Sequence, residues 1–208
     1  MVRIAVLVSG SGTNLQAIID AEERGEISSG KVSLVISDRD KVKALERAEK
    51  AGIETVVVDR NSFKDSSYFA KKLVSILREK EIGLVVLAGF MSILTDEFTN
   101  AYRMKIINIH PSLIPSFCGK GYYGLKVHRE ALKYGVKITG ATVHFVTEEV
   151  DGGPIILQKA VDIPQGIKAE ELQKLVMREC EWRILPLAVE LFCSGRIQTE
   201  GRQVIIKG

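Results

Sequence analysis

Residues 3–19 read RIAVLVSGSGTNLQAII, and they decide the fold class. After Arg3, the run from Ile4 to Val8 is wholly apolar, as in a strand buried on both faces. Leu15, Ile18 and Ile19 then recur at i, i+3 and i+4, while Gln16, Asp20 and Glu23 take the other side, which is the pattern of a short amphipathic helix. Between the two lies Ser9-Gly10-Ser11-Gly12-Thr13-Asn14. A strand that turns through glycines into a helix opens a βαβ unit.

The same alternation continues outward. Val32–Ile36, Glu54–Val58, Leu84–Leu87 and Ile106–Ile109 read as further strands. Val42–Ala51 reads as a charged helix, and Phe69, Leu73, Ile76 and Leu77 stripe another. Strands alternating with helices predict a parallel sheet, and right-handed crossovers predict the order 3-2-1-4-5 for its first five strands. Beyond Lys137 the pattern changes. Lys137–Val146 and Ile155–Ile163 are long strands joined by a glycine-rich turn, expected to be antiparallel. A helix over about Ala169–Cys193 is expected to kink at Pro186, and Arg196–Ile206 suggests a hairpin around Glu200-Gly201. The expected architecture is α/β: a doubly wound, Rossmann-like, mostly parallel sheet with helices on both faces and an antiparallel extension in the C-terminal part.

The 208 residues suit one α/β domain, and the 46% apolar share supports a substantial core rather than disorder. The net charge of +3 fits a small anionic ligand and is too weak to indicate nucleic acid. Cys118, Cys180 and Cys193 form no disulfide framework and no Cys-x-x-Cys pair, which fits a reducing, cytoplasmic setting. The longest uncharged runs, Ile82–Thr95 and Ile106–Gly119, are too short to span a bilayer, and the N-terminal apolar run is too short for a secretory signal.

Strand order 3-2-1-4-5 puts the switch point between strands 1 and 4, so the loops Ser9–Asn14, Gly89–Leu94 and His110–Ser116 are expected to line one crevice. In the first loop, glycines let N–H groups approach a phosphate at a helix N-terminus. It lacks the lysine of a P-loop and the third glycine of a dinucleotide fingerprint, so a monophosphate suits it better than ATP or NAD. A tight turn with a Thr/Asn helix cap is the alternative. In the second loop, Ala88-Gly89-Phe90-Met91-Ser92-Ile93-Leu94 could hold a flat aromatic ligand, and ordinary core packing is the alternative. In the third, Asn108 and His110 lie two apart on a strand and project to one face, with Ile107 and Ile109 toward the core. An amide donor beside an imidazole suits oxyanion stabilisation and proton movement, whereas a satisfied strand-end pair is the plain alternative. Asp151, in Val150-Asp151-Gly152-Gly153-Pro154, reads equally as a turn residue. His144 reads as a core histidine. His110, His128, His144 and Cys118 have no compact metal-ligand spacing, and Cys118 is not required as a nucleophile.

Four segments carry a family resemblance: VLVSGSGTNLQAII (Val6–Ile19), VVLAGFMSIL (Val85–Leu94), INIHPSLIPSF (Ile107–Phe117) and TVHFVTEEVDGGPIILQ (Thr142–Gln158). In this order and spacing they resemble the phosphoribosylglycinamide formyltransferase family, the folate-dependent transformylases of purine synthesis. The resemblance implies a single formyltransferase domain over 1–208, with a nucleotide-binding half of about 1–104 and a folate-binding, catalytic half of about 105–208. It implies that Gly12, Thr13 and Asn14 hold the phosphate of glycinamide ribonucleotide, with Glu181 on the ribose and Arg178 facing the same site. It implies catalysis by Asn108, a protonated His110 and Asp151. Folate contacts are implied for Met91, Ser92, Ile93, Leu94, Asn108, Thr147, Glu148, Glu149, Val150 and Asp151. The co-substrate implied is 10-formyltetrahydrofolate, with no metal. The partners implied are small molecules, with neither nucleic acid nor membrane, for a monomer or homodimer.

Two departures from the family pattern stand out. Ser66 lies near a position where a basic residue often meets the folate, and Phe117–Gly124 is longer than the usual run, with Lys120 a candidate contact for phosphate or folate tail. Related readings are a methionyl-tRNA formyltransferase or a formyltetrahydrofolate hydrolase, whose extra domains the length leaves no room for. A non-enzymatic nucleotide sensor would not need Asn108, His110 and Asp151 together.

Overall fold

A computed structural model describes all residues, Met1–Gly208. Seven strands form one sheet in the order β3-β2-β1-β4-β5-β6-β7, and two more form a separate hairpin. In chain order they are β1 (Val2–Val8), β2 (Gly30–Ser37), β3 (Glu54–Val57), β4 (Leu84–Leu87), β5 (Ile106–His110), β6 (Ile138–Phe145), β7 (Ile155–Asp162), β8 (Ile197–Glu200) and β9 (Gln203–Ile206). The first five pair in parallel, while β6 and β7 run antiparallel. The expected 3-2-1-4-5 order, antiparallel extension and terminal hairpin are all present.

The helices are α1 (Thr13–Glu23), α2 (Lys43–Lys50), α3 (Ser66–Glu79), α4 (Asp96–Ala101), α5 (Leu125–Tyr134), α6 (Ala169–Val176) and α7 (Trp182–Cys193). Strands buried on both faces need cover on both sides. On one face, Ile4, Val6, Val8, Ile107 and Ile109 pack with Leu15, Ile18 and the α7 residues Leu185, Ala188 and Val189. On the other, Ala5, Leu7, Val85 and Ile106 pack with Phe69, Leu73 and Leu77 of α3 and Phe98 of α4. No helix is long and apolar enough to cross a membrane.

The C-terminal helix differs from the sequence reading. Its regularity breaks at a π-helical turn over Met177–Glu181 and not at Pro186, which lies buried inside α7. There the Trp182 N–H reaches the Met177 carbonyl, five residues back. A π turn leaves a carbonyl without its usual partner, which suits a downstream proline that brings no N–H.

Candidate active site

The loops after β1, β4 and β5 converge at the carboxyl ends of their strands, and hydrogen bonds tie the loop after β4 to those after β1 and β2. The Met91 N–H donates to Ser9 Oγ at 2.8 Å, and Ser92 Oγ donates to Asp38 Oδ2 at 2.7 Å. Gly12 occupies the N-cap position of α1 at φ 70°, in the left-handed region, with no side-chain cap. The Thr/Asn cap is therefore absent, and the first-turn N–H groups stay open. Asn14 is buried and donates through Nδ2 to Glu181 Oε2 at 2.6 Å, across the crevice floor. Burial pushes the Glu181 carboxyl up to about 7, against the lowering effect of the Asn14 bond. Arg178 is exposed and pairs with Glu179 at 2.8 Å, without a bond to Glu181 or the glycine loop. The π turn explains the separation, because residues three apart there do not stack as they do on an α-helix.

Core packing accounts for only part of the second loop, taking Ala88, Phe90 and Leu94. Met91 and Ile93 are 45% and 73% exposed, and Val150 is 55% exposed. Apolar side chains left open at the end of a sheet form a surface suited to a flat apolar ligand. Thr147 is half-buried, and Glu148 and Glu149 are exposed, with Glu148 accepting from Asn100 Nδ2 at 3.3 Å. At Gly153 an added Cβ would meet the Phe145 carbonyl, so only glycine lets the 147–153 turn close back onto the end of β6.

The polar centre lies where β5 meets β6. Register pairs Asn108 with His144 and His110 with Thr142, so the four share one face. Asp151 stands between the imidazoles. Its Oδ2 is 3.5 Å from His110 Nδ1 and its Oδ1 is 3.6 Å from His144 Nε2. Asn108 Nδ2 contacts His144 Nε2 at 3.1 Å, and His144 Nδ1 contacts the Phe145 carbonyl at 2.9 Å. A carbonyl only accepts, so His144 carries its proton on Nδ1 and accepts from Asn108 on Nε2. This fixes the Asn108 amide and leaves its second N–H free for another acceptor. By the same logic the His110 proton sits on Nε2, which donates to the Phe117 carbonyl at 3.0 Å, and its Nδ1 lone pair faces Asp151.

Burial lowers the His110 pKa, and His144 lowers it further, against the raising effects of Asp151 and the Phe117 bond. At neutral pH His110 is therefore a neutral base, and the protonated form implied by the family resemblance belongs to the tetrahedral intermediate. Burial works against the Asp151 carboxylate too. Protonated forms of the facing His144 and His110 imidazoles, together with the Gly119 N–H at 2.8 Å from Oδ2, outweigh it and hold Asp151 below the usual range.

The segment after β5 is stitched down. Thr142 Oγ1 donates to the Ser112 carbonyl at 2.7 Å and accepts from the Ile114 N–H at 3.1 Å. Gln158 Nε2 donates to the Ile114 carbonyl at 3.0 Å. Burial, then Asp151 and Glu149, raise the Cys118 thiol, and its hydrogen bond goes to the Pro115 carbonyl, so no thiolate–imidazole pair forms. His128, on the inner face of α5, is fully buried with neither ring nitrogen bonded, and burial, with His110 nearby, pushes it down to about 4. No group of three His, Cys, Asp or Glu side chains is arranged to hold a metal ion.

Three features escaped the sequence reading. His144 is part of the polar centre. Main-chain groups of Phe117 and Gly119 contact His110 and Asp151. Beside Ser66 stands a cation after all, because Arg60 Nη2 donates to Ser66 Oγ at 2.8 Å while its guanidinium lies over Phe69, which stacks on Phe90. The alternation in Thr142–Val146 marked His144 as facing opposite to Val143, but only the β5–β6 register sets it beside Asn108.

A family model described as formyl transferase matches residues 2–189. The chain is 41% identical over 208 residues to the phosphoribosylglycinamide formyltransferase of Haemophilus influenzae, covering 100% of this chain and 95% of that protein. It is 44% identical over 196 residues to the human trifunctional purine biosynthetic protein adenosine-3, covering 94% of this chain. It spans only 19% of that trifunctional protein's length. The crystal structure of glycinamide ribonucleotide transformylase 1 from Symbiobacterium toebii matches with TM-score 0.94 and 45% identity, covering 100% of this chain and 95% of that one.

Proposed function

Because the chain belongs to the formyl transferase family, and within it to the phosphoribosylglycinamide formyltransferases, we propose that it transfers a formyl group from 10-formyltetrahydrofolate to the amine of glycinamide ribonucleotide. The products are formylglycinamide ribonucleotide and tetrahydrofolate, in de novo purine synthesis. It works as a cytoplasmic enzyme on small-molecule substrates, with the nucleotide held mainly by residues 1–104 and the folate and chemistry by 105–208. The observation that carries this reading is the Asp151 carboxylate set between His110 and His144, with an Asn108 N–H free beside them.

The nucleotide's phosphate lies on the N–H groups of Gly12, Thr13 and Asn14, where the α1 dipole favours an anion. Glu181, buried and bonded to Asn14, receives the ribose hydroxyls, and Arg178 moves from Glu179 to the nucleotide. The pterin lies on the apolar surface of Met91 to Leu94 and is closed over by Thr147 to Asp151. Arg60 faces the folate's carboxylate tail in place of a basic residue at 66.

The substrate amine attacks the formyl carbon directly, so the carbonyl electron pair moves onto oxygen and an N–C bond forms. Neutral His110 then takes a proton from the resulting ammonium. The imidazolium produced carries its new proton on Nδ1, facing Asp151 at 3.5 Å, and its charge stabilises the oxyanion while the Asn108 N–H donates to it. Collapse of the intermediate re-forms the carbonyl and breaks the bond to the folate N10, which receives the proton from His110. No side-chain nucleophile is needed. Replacing Asn108 or His110 by alanine tests the reading: turnover falls steeply while both substrates still bind. Near-normal turnover in either variant removes that residue from the chemistry.

A further inference from the structure

The loop from Ser9 to Asn14 is gripped from its outer side by α2. The Gly10 carbonyl accepts from the Ala44 N–H at 3.1 Å, and the Ser11 carbonyl accepts from Arg47 Nε at 2.9 Å. Arg47 also donates through Nη1 to Gln16 Oε1 on α1, at 3.0 Å. Gly12 is pressed against the same helix, for a Cβ there would lie 2.7 Å from both Cα and Cβ of Ala44. Between α1 and α2 runs a groove of about 450 Å³ whose lining includes Gln16, Lys43, Arg47 and Lys50.

Across a trans peptide the C=O and the following N–H point in opposite directions. Tying the carbonyls of Gly10 and Ser11 to α2 therefore turns the N–H groups of Ser11 and Gly12 away from it. Neither N–H finds an acceptor within the chain. A second observation points to a ligand at this loop: Asn14 Oδ1 is buried and has no partner, although Asn14 Nδ2 is bonded to Glu181. Buried polar atoms of a folded chain are nearly always paired, so this one is open to a bound donor such as a sugar hydroxyl.

We infer that Arg47 is a positioning residue for the phosphorylated substrate: by holding the Ser11 carbonyl it keeps the Gly12 N–H aimed at the phosphate. It does this from the outside of the loop, with no need to touch the ligand. Its guanidinium also adds positive charge at the loop, which the motif itself lacks because it has no lysine. The inference rests on the proposed function only for the identity of the phosphate ester.

The test is calorimetric titration of ribose 5-phosphate into the wild type, Arg47→Met, Arg47→Lys and Lys50→Met, with steady-state kinetics and melting temperatures alongside. Lys50 lines the same groove without bonding the loop and controls for lost charge. A charge-assisted hydrogen bond that orients a ligand site is worth about tenfold or more in affinity. Arg47→Met should therefore weaken ribose 5-phosphate and raise the KM for glycinamide ribonucleotide by about tenfold or more. The kcat and the folate KM should stay within about twofold. Arg47→Lys, which can still donate once to the Ser11 carbonyl, should fall between, and Lys50→Met should match the wild type. Binding by Arg47→Met within about twofold of wild type overturns the role. So does an equal loss of folate and nucleotide, which would make Arg47 a brace between helices only. If Arg47→Met fails to fold, unchanged affinity in Arg47→Lys overturns it instead. A wild type that ignores ribose 5-phosphate removes the phosphate reading of the whole loop, an outcome distinct from loss of Arg47's part alone.

Discussion

Replacing Asp151 by asparagine separates the charge of the polar centre from its shape. Asp151 sits at φ 56°, a conformation that asparagine tolerates better than most residues, so the backbone of the turn is kept. The Gly119 N–H, now 2.8 Å from Oδ2, can still donate to an amide oxygen. What disappears is a carboxylate 3.5 Å from His110 Nδ1, in a site where the Asp151 side chain is 10% exposed. Two unit charges about 4 Å apart attract by about 4 kcal/mol at an effective dielectric of about 20. Relief of Asp151's own burial and the remaining amide dipole offset part of this, leaving a loss of about 2–3 kcal/mol for the imidazolium, or about 30- to 150-fold in kcat. The pH profile gives the sign. Neutral His110 is the working base, so activity falls as pH drops through its pKa, and Asp151 raises that pKa. Asp151→Asn therefore moves the acid limb of the kcat/KM profile to lower pH while kcat falls. The assay is formyl transfer followed across pH 5–9 (roughly the range in which His titrates). A kcat within threefold of wild type, or an unmoved acid limb, would mean that the Asp151 charge does not support His110.

Asn108→Ala removes the free amide donor and should cost about 10²–10³-fold in kcat, read against unchanged binding of a folate analogue. Glu181→Gln tests the buried carboxyl. Because its folded pKa of about 7 lies above the unfolded value, the wild type loses stability as pH rises from about 4.5 to 7. The variant should therefore melt higher than wild type at pH 8, by up to about 3 kcal/mol, and alike at about pH 4. Gly12→Ala places a Cβ 2.7 Å from Ala44 at φ 70°, and should lower stability by about 1–3 kcal/mol and raise the nucleotide KM. Arg60→Met should raise the KM for a glutamate-bearing folate several-fold and leave one lacking the glutamate tail unaffected.

Local signals in the sequence carried the first half of the fold. Residues 3–19 hold the strand, the glycine turn and the helix within one stretch, and the next two strands are likewise followed by readable helices, whereas α4 and α5, after β4 and β5, left no such stripe. The switch point followed from strand order, and so did the meeting of the loops after β1 and β4. Non-local features were not legible. His144 looks like any inward residue of a strand until the antiparallel register, set across an intervening helix, lays it opposite Asn108. The π turn leaves no mark in the periodicity of Met177–Glu181, so Arg178 and Glu181 looked like neighbours on one helical face. Protonation depends on depth. A motif names a histidine, but the lowering of the His110 pKa comes from burial, which the strand pattern does not show.

Formyl transfer between two small molecules is read from its products. Purified protein is incubated with 10-formyltetrahydrofolate and glycinamide ribonucleotide, and formylated nucleotide, tetrahydrofolate and free formate are quantified together. Formylated nucleotide should appear in step with tetrahydrofolate, with negligible formate, and none should form without the amine substrate. Formate released without formylated nucleotide would contradict the account and indicate hydrolysis. No consumption of either substrate would contradict the assignment of the site altogether.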